Sequence, residues 1–289
     1  MPTSLSNTCS NNNIYMLLLT PAGASREEHD AHLSHHQPRS VLTVRTLDDE
    51  AALLQASTLF ILGPGHTLEA VNDISRPAAP RCFISVTPTH LRYWTTAQPA
   101  AEIVRALEAW RSQHRPPLDL DTFTEPPADV LAAVTKVHGI RPHVYCGPAY
   151  RFPADSQAPP LEHADIRLCS PADEGRFRAS FPGIAATLTA REPVVAAFEK
   201  ERAVAICSAS RITPQACEAG VETLPDHRGR GLATAVTARW AEHVRASGRT
   251  PLYSTSWDNT SSQAVAGRLG LIRYAATMSI YVPDRATHT

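Results

Sequence analysis

The chain has 289 residues, a formal net charge of -1 at pH 7 and 43% hydrophobic residues. Its length favours two domains over one, because a single domain usually holds about 100–200 residues. The near-neutral charge argues against a nucleic-acid partner held by bulk charge, since such proteins carry a basic excess.

Cysteine usage and hydropathy limit the cellular compartments in which the protein is expected. The six cysteines are scattered without a C-x-x-C pair: Cys9, Cys82, Cys146, Cys169, Cys207 and Cys217. This scatter indicates neither a zinc site nor a disulfide framework, so no metal is predicted and a reducing compartment fits. The longest early apolar run, residues 14–19, is far too short to span a bilayer and has no preceding Lys or Arg. We therefore predict a cytoplasmic protein with no membrane partner.

The first half of the chain changes character near residue 41. Residues 1–40 are polar and rich in Asn and His, which predicts a disordered tail and a linker. Strand-like patterns then occur at residues 41–47, 57–63 and 81–86, and residues 100–114 carry apolar side chains at helical spacing. The pattern predicts an N-terminal α/β domain of unknown role at residues 41–155.

A proline-containing connector, residues 150–165, separates this region from the second half. We place the boundary near residue 155 and a second domain at residues 156–285. Its predicted elements are, in chain order, strand 166–170, helix 171–181, strands 193–199, 202–210 and 216–224, helix 229–247, strand 251–257, helix 259–269 and strand 271–282. Three successive strands predict an antiparallel run, and the strand–helix–strand order after them predicts a parallel pair. The sheet should be mixed.

The stretch HRGRGLATA, which begins at residue 227, stands where the long helix of this domain begins. Unpaired N–H groups and the positive end of the dipole at a helix N-terminus favour an anion. Gly229 and Gly231 would let a phosphate approach the backbone, and Arg228 and Arg230 would add positive charge. The alternative is that the two glycines only shape a tight turn.

The same stretch resembles the signature Q/R-x-x-G-x-G/A of the GNAT superfamily of acyl-CoA N-acyltransferases, with Arg228, Gly231 and Ala233 at its fixed positions. Residues 257–271 are similar to the Asn-led fourth helix of the family, and residues 164–177 to its first strand and helix. The resemblance covers about residues 160–283. It implies a GNAT-type mixed, mostly antiparallel sheet flanked by helices, preceded by the separate N-terminal α/β domain.

What the resemblance implies about function is an N-acetyltransferase that moves an acetyl group from acetyl-CoA to a primary amine of a small molecule or peptide by direct attack. Acetyl-CoA would lie in a V-shaped opening between the strand that ends at Thr223 and the strand at residues 251–257. The implied cofactor-binding positions are a strand end, the glycine loop and the start of a later helix: Val221, Glu222, Thr223, Arg228, Gly229, Arg230, Gly231, Leu232, Ala233, Thr234, Asn259 and Ser262.

Two carboxylates are the first candidates for the base that must neutralise an attacking amine. Glu218 and Glu222 lie four residues apart on a predicted strand, so alternation puts both on one face with Gly220 between them. Either would take the proton directly or through water. A solvated strand face or a salt bridge is the alternative interpretation for each glutamate, and His227 is a third candidate base.

One position departs from the family pattern. The family often places a tyrosine seven residues after the asparagine to protonate the departing thiolate, and this chain has Ala266 there. Either the thiolate leaves without a dedicated acid, or Ser262, Tyr253 or another residue replaces the tyrosine. A non-catalytic acyl-CoA-binding or regulatory module is therefore the alternative function, and a longer acyl donor or an oxygen acceptor stays open. The amine acceptor and the oligomeric state are likewise left open by the sequence.

Overall fold

The computed structural model of the protein describes residues 41–154 and 164–283. The predicted tail and linker at residues 1–40 lie outside these residues, as does most of the predicted connector. The helices are α1 (Val41–Leu59), α2 (Ala101–Gln113), α3 (Ala128–His138), α4 (Glu174–Phe177), α5 (Pro182–Ala185), α6 (Leu232–Ala246) and α7 (Thr260–Arg268). The strands are β1 (Phe60–Leu62), β2 (Leu68–Val71), β3 (Cys82–Val86), β4 (Leu91–Thr95), β5 (His143–Arg151), β6 (Asp165–Leu168), β7 (Val194–Glu199), β8 (Arg202–Ile212), β9 (Ala216–Thr223), β10 (Thr250–Ser254) and β11 (Ile272–Tyr281).

A nine-stranded sheet in the order β4-β3-β11-β5-β10-β9-β8-β7-β6 organises the fold, and β1 pairs with β2 apart from it. The strands β6 to β9 run antiparallel to one another, whereas β9 and β10 are parallel and are joined through α6. This arrangement confirms the predicted mixed, mostly antiparallel sheet flanked by helices.

The predicted boundary near residue 155 falls between β5 and β6, outside the described residues. The strands β3 and β5 precede this boundary in sequence, whereas β10 and β11 follow it. In the sheet, however, β5 lies between β11 and β10, and β3 pairs with β11. The described residues all belong to one compact unit, Pro38–Thr289. A division at residue 155 therefore does not separate two sheets, and the independent folding of residues 41–155 stays a prediction.

The strand predicted at residues 41–47 is wrong, because these residues begin α1. Of the strand predicted at residues 57–63, only the residues of β1, 60–62, form a strand. Helical spacing of buried side chains explains the difference: Asp48, Ala52, Gln55 and Ala56 are all buried on α1. The short alternation at the start of the helix does not outweigh this longer buried stripe.

The two faces of β8 and β9 pack against different helices. On one face, Cys207 and Cys217 pack with Trp240 and Val244 of α6 in a single buried cluster. On the other face, Ile206 packs in a cluster with α4 and α5. The register places Glu222 opposite Ile206, so alternation along β9 puts Glu222, Gly220 and Glu218 on the face away from α6.

Candidate functional site

The connection from β9 to α6 exposes backbone donors. Gly229 and Gly231 have φ values of +73° and +77°, which glycine adopts without a steric penalty. The first hydrogen bond of α6 runs from Ala235 N to Gly231 O at 3.1 Å, so the N–H groups of residues 232–234 precede the helical ladder. These donors and the positive end of the α6 dipole form a site suited to an anion.

Two exposed arginines flank this backbone and are each held by a neighbour. Arg228 Nε donates to Thr223 O at 3.3 Å, and Arg230 Nη1 lies 3.7 Å from Glu199 Oε1. The other oxygen of Glu199 shares a 2.9 Å hydrogen bond with His227 Nε2, and this bond holds the pKa of Glu199 below its ordinary value. His227 thereby anchors the loop to the β7–β8 turn, away from the face that carries the two candidate glutamates.

Two threonines flank the glycines with hydroxyls that find no protein partner. Thr223 Oγ1 and Thr234 Oγ1 are buried and have no hydrogen-bond partner within the described residues. A Cβ added at Gly229 would meet no atom within 4 Å, so the space above the loop is open. Unpartnered buried hydroxyls, unpaired N–H groups and open space together fit a phosphate group at this loop.

The strands β9 and β10 separate just before this loop. Their parallel pairing ends at Leu252 and Glu218, and within the described residues the rest of β9 pairs with β8 alone. Val221, Glu222 and Thr223 therefore present a backbone edge toward the opening. An edge of this kind accepts an extended ligand as an added strand.

Glu218 lies at the apex of the opening and is 3% exposed. Its Oε1 accepts a hydrogen bond from Ser254 Oγ at 2.5 Å, whereas Oε2 has no partner within the described residues. Burial raises the pKa of Glu218 to about 7, and the hydrogen bond from Ser254 and the charge of Arg211 only partly oppose this shift. A carboxyl group that titrates near neutral pH can both take up and release a proton.

Glu222 lies two positions beyond Gly220 on the same face and is half-buried. Burial raises its pKa, and the positive charge of Arg191 opposes the shift. The structure therefore brings the two predicted glutamates to one face of β9. Their role as bases stays a proposal.

Asn259 and Ser262 form the start of α7. Asn259 Oδ1 caps the helix by accepting hydrogen bonds from Ser262 N and Ser261 Oγ, both at 3.0 Å. Ser262 Oγ shares a 2.6 Å hydrogen bond with the phenol of Tyr253, which reaches α7 from β10. Tyr253 packs in the same buried cluster as Ala266, and burial raises the pKa of its phenol. The phenol of Tyr253 thus contacts α7 at Ser262, one turn before Ala266, where the family pattern has its own tyrosine.

Sequence reasoning missed an ion cluster beside the glutamates. Asp73 accepts from Arg211 Nη1 at 2.8 Å and from Arg191 Nη2 at 3.4 Å, and Arg211 lies directly opposite Glu218 in the strand register. These residues come from three separate segments, and no local motif marks any of them. Tertiary structure alone brings them to the candidate site.

Other classes of site find no support in the part of the chain that the structure covers. Residues 41–154 and 164–283 contain no group of three or more His, Cys, Asp or Glu able to hold a metal ion. The five cysteines within these ranges are free. Over the same ranges, the helices all lack the length and apolar character that crossing a bilayer requires.

Comparison with known proteins gives one family match. Residues 194–278 match the family model described as GNAT acetyltransferase. No curated protein matches the chain.

Similar solved structures share low sequence identity with the chain. A GNAT-family protein from Novosphingobium aromaticivorans is 22% identical with a TM-score of 0.36, and the match covers 48% of this chain and 64% of that one. A GCN5-related N-acetyltransferase from Kribbella flavida is 16% identical with a TM-score of 0.46, covering 84% and 96%. The yncA protein from Salmonella typhimurium, solved with its cofactor acetyl-CoA, is 16% identical with a TM-score of 0.33, covering 44% and 98%.

Proposed function

Residues 194–278 belong to the GNAT acetyltransferase superfamily, and from this premise we propose that the protein is an acetyl-CoA-dependent N-acetyltransferase acting on a primary amine of a small molecule or peptide. The observation that carries the proposal is the loop between β9 and α6. Its unpaired N–H groups, two glycines of positive φ and open space lie directly beside the free edge of β9.

In this proposal the diphosphate of acetyl-CoA binds the N–H groups of residues 228–234, with added charge from Arg228 and Arg230. The pantetheine arm pairs with the backbone of residues 221–223 as an added strand. Asn259 would contact the arm through Nδ2, because its Oδ1 already caps α7. Bound in this way, acetyl-CoA supplies an activated acetyl group at the apex of the opening.

The residues of the chain would then manage two protons. An alkyl amine of ordinary pKa is protonated at pH 7, and its deprotonation costs about 4 kcal/mol. Glu222 or Glu218 would take this proton, directly or through water, before the neutral nitrogen attacks the carbonyl carbon. The new N–C bond then forms, the C–S bond breaks, and the second amine proton passes to the departing thiolate. Tyr253 would donate a hydrogen bond to the departing sulfur, with Ser262 beside its phenol.

A non-catalytic acyl-CoA-binding or regulatory module is the second candidate, and Ala266 is the observation that favours it. The Tyr253–Ser262 pair supports the enzyme instead, because it brings a phenol to the neighbouring turn of α7. The cytoplasm is the compartment we propose, because the scattered cysteines indicate no disulfide framework. Acetyl-CoA and an amine are the proposed partners, with neither nucleic acid nor membrane.

The test is thiol release from acetyl-CoA over a panel of primary amines, with the mass of each product measured. We expect release on at least one amine and a product heavier by one acetyl group. Acetyl-CoA binding without release on any amine would contradict the enzyme and leave the binding module. Binding of longer acyl-CoA esters with faster release would correct the donor and keep the reaction type.

A further inference from the structure

The helix α1 crosses the face of the sheet that carries the two glutamates. In the first half of the helix, Asp48 Oδ1 accepts from Arg151 Nε of β5 at 3.3 Å. Near its end, Asn72 Nδ2 donates both to Thr58 O at 2.9 Å and to Ile212 O of β8 at 3.0 Å. In the sheet order, β10 and β9 lie between β5 and β8. The stretch of α1 between Asp48 and Thr58 therefore lies over β10 and β9, where Glu218 is found.

Gln55 stands in this stretch of α1 and is an orphaned polar group. It is 0% exposed, and neither Oε1 nor Nε2 has a hydrogen-bond partner within the described residues. It lies one turn after Ala52 and one turn before Leu59, on the buried stripe of the helix. A fully buried amide without partners is strongly disfavoured, so this side chain points to a ligand or water beside it.

Tyr274 of β11 is a second orphaned group under the same helix. It is 0% exposed, its hydroxyl has no partner within the described residues, and it packs with Ala51, Ala52 and Ala149. The negative charges of Glu218 and Asp48 add to burial in raising the pKa of this phenol. The hydroxyl therefore lies within electrostatic reach of Glu218, across the small side chain of Ala149.

The third orphaned group is Glu218, through its Oε2, since Ser254 bonds to Oε1. The elements α1, β9 and β11 thus each contribute one unpartnered oxygen acceptor to the space beneath α1: Gln55 Oε1, Glu218 Oε2 and Tyr274 Oη. A primary ammonium group has three N–H donors and a positive charge that suits a carboxylate. A neutral hydroxyl or a secondary amine has too few donors for this set.

We propose that Gln55, Glu218 and Tyr274 form the subsite that holds the primary amine of the acceptor. This inference rests on the proposed function and extends it, because it gives α1, from the first half of the chain, a direct part in selecting the acceptor. The amine enters from the side of Glu222, which is half-buried on the same face of β9 as Glu218. Primary amines are favoured over their N-methylated counterparts.

Binding is measured by ligand-observed NMR with n-propylammonium, ethanolammonium and putrescine, and with the N-methylated form of each as a matched ligand. The variants are Gln55→Leu and Tyr274→Phe, with Ser57→Ala as the control. Ser57 is exposed on the same helix and donates a hydrogen bond to Leu54 O of its own turn. Each of the two test variants replaces an orphaned polar group by an apolar group of similar volume, so thermal unfolding should show a melting temperature no lower than that of the wild type.

We expect at least one primary amine to bind the wild type, and to bind Gln55→Leu and Tyr274→Phe about tenfold to a hundredfold more weakly, because a hydrogen bond to a charged group is lost. Ser57→Ala should bind as the wild type does. Equal binding by all four proteins, equal binding of the N-methylated amines, or no binding of any primary amine would overturn the subsite. Thiol release separates the two proposals: binding without release contradicts the enzyme, whereas release unchanged in Gln55→Leu contradicts only the subsite.

Discussion

The two sides of β9 offer a ligand different kinds of contact. On the α6 side, the loop at residues 228–234 presents N–H groups beside exposed arginines, and glycine conformation shapes it. On the α1 side, buried side chains from α1, β9 and β11 provide orphaned polar atoms. The loop should therefore be sensitive to backbone changes, and the α1 side to the loss of single polar atoms.

The largest effect on turnover is expected from substitution of the two glutamates, which tests the α1 side of β9. Glu222→Gln or Glu218→Gln should lower turnover by about 10²- to 10⁴-fold, because an amide cannot take the amine proton. Affinity for acetyl-CoA should not change, because both substitutions leave the backbone of residues 221–223 and the loop at residues 228–234 as they are. Single-turnover thiol release and calorimetric titration measure the two quantities. Glu201→Gln is the control, because Glu201 is exposed and pairs only with Arg176 within the described residues. Full turnover in both variants would remove these carboxylates from the reaction.

A smaller effect is expected at the α7 end of the opening. Tyr253→Phe keeps the ring and removes the hydroxyl that bonds to Ser262, so turnover should fall about tenfold while the acceptor KM stays unchanged. Tyr145→Phe is the matched control, because its ring packs against Tyr281 of β11. Steady-state kinetics on one acceptor amine would show whether turnover falls while the acceptor KM stays the same. A rise in acceptor KM without loss of turnover would place Tyr253 in acceptor binding instead.

The smallest effect concerns stability and its dependence on pH. The folded-state pKa of Glu218, about 7, lies above its ordinary value of 4.5, so the native protein holds more protons than the unfolded chain between these values. Stability is therefore favoured below pH 4.5 and declines as the pH rises toward 7. Glu218→Gln should remove this decline. Between pH 4.5 and 7 the melting temperature of the variant should therefore fall less than that of the wild type, by a few degrees. Parallel curves for the two proteins would show that Glu218 has an ordinary pKa.

Local patterns predicted one side of β9 and not the other. The glycine loop, the helix after it and the facing of Glu218 and Glu222 depend on residues close together in sequence, and the structure has each of these elements where it was expected. Gln55 and Tyr274 are 219 positions apart in the chain and belong to no motif. The first segment of α1 was also predicted as a strand, which hid the helix that covers Glu218. Contacts of this range arise from sheet order, which a single sequence does not contain.

Calorimetric titration of the protein with acetyl-CoA tests the central claim most directly. The wild type should bind one equivalent, and Gly231→Ala should bind more than about tenfold more weakly, because a side chain strains the loop and blocks the approach of the phosphates. Gly248→Ala is the control, since Gly248 has the same φ of +77° just beyond the far end of α6. No binding of acetyl-CoA by the wild type would contradict the account and leave residues 227–235 as a turn alone.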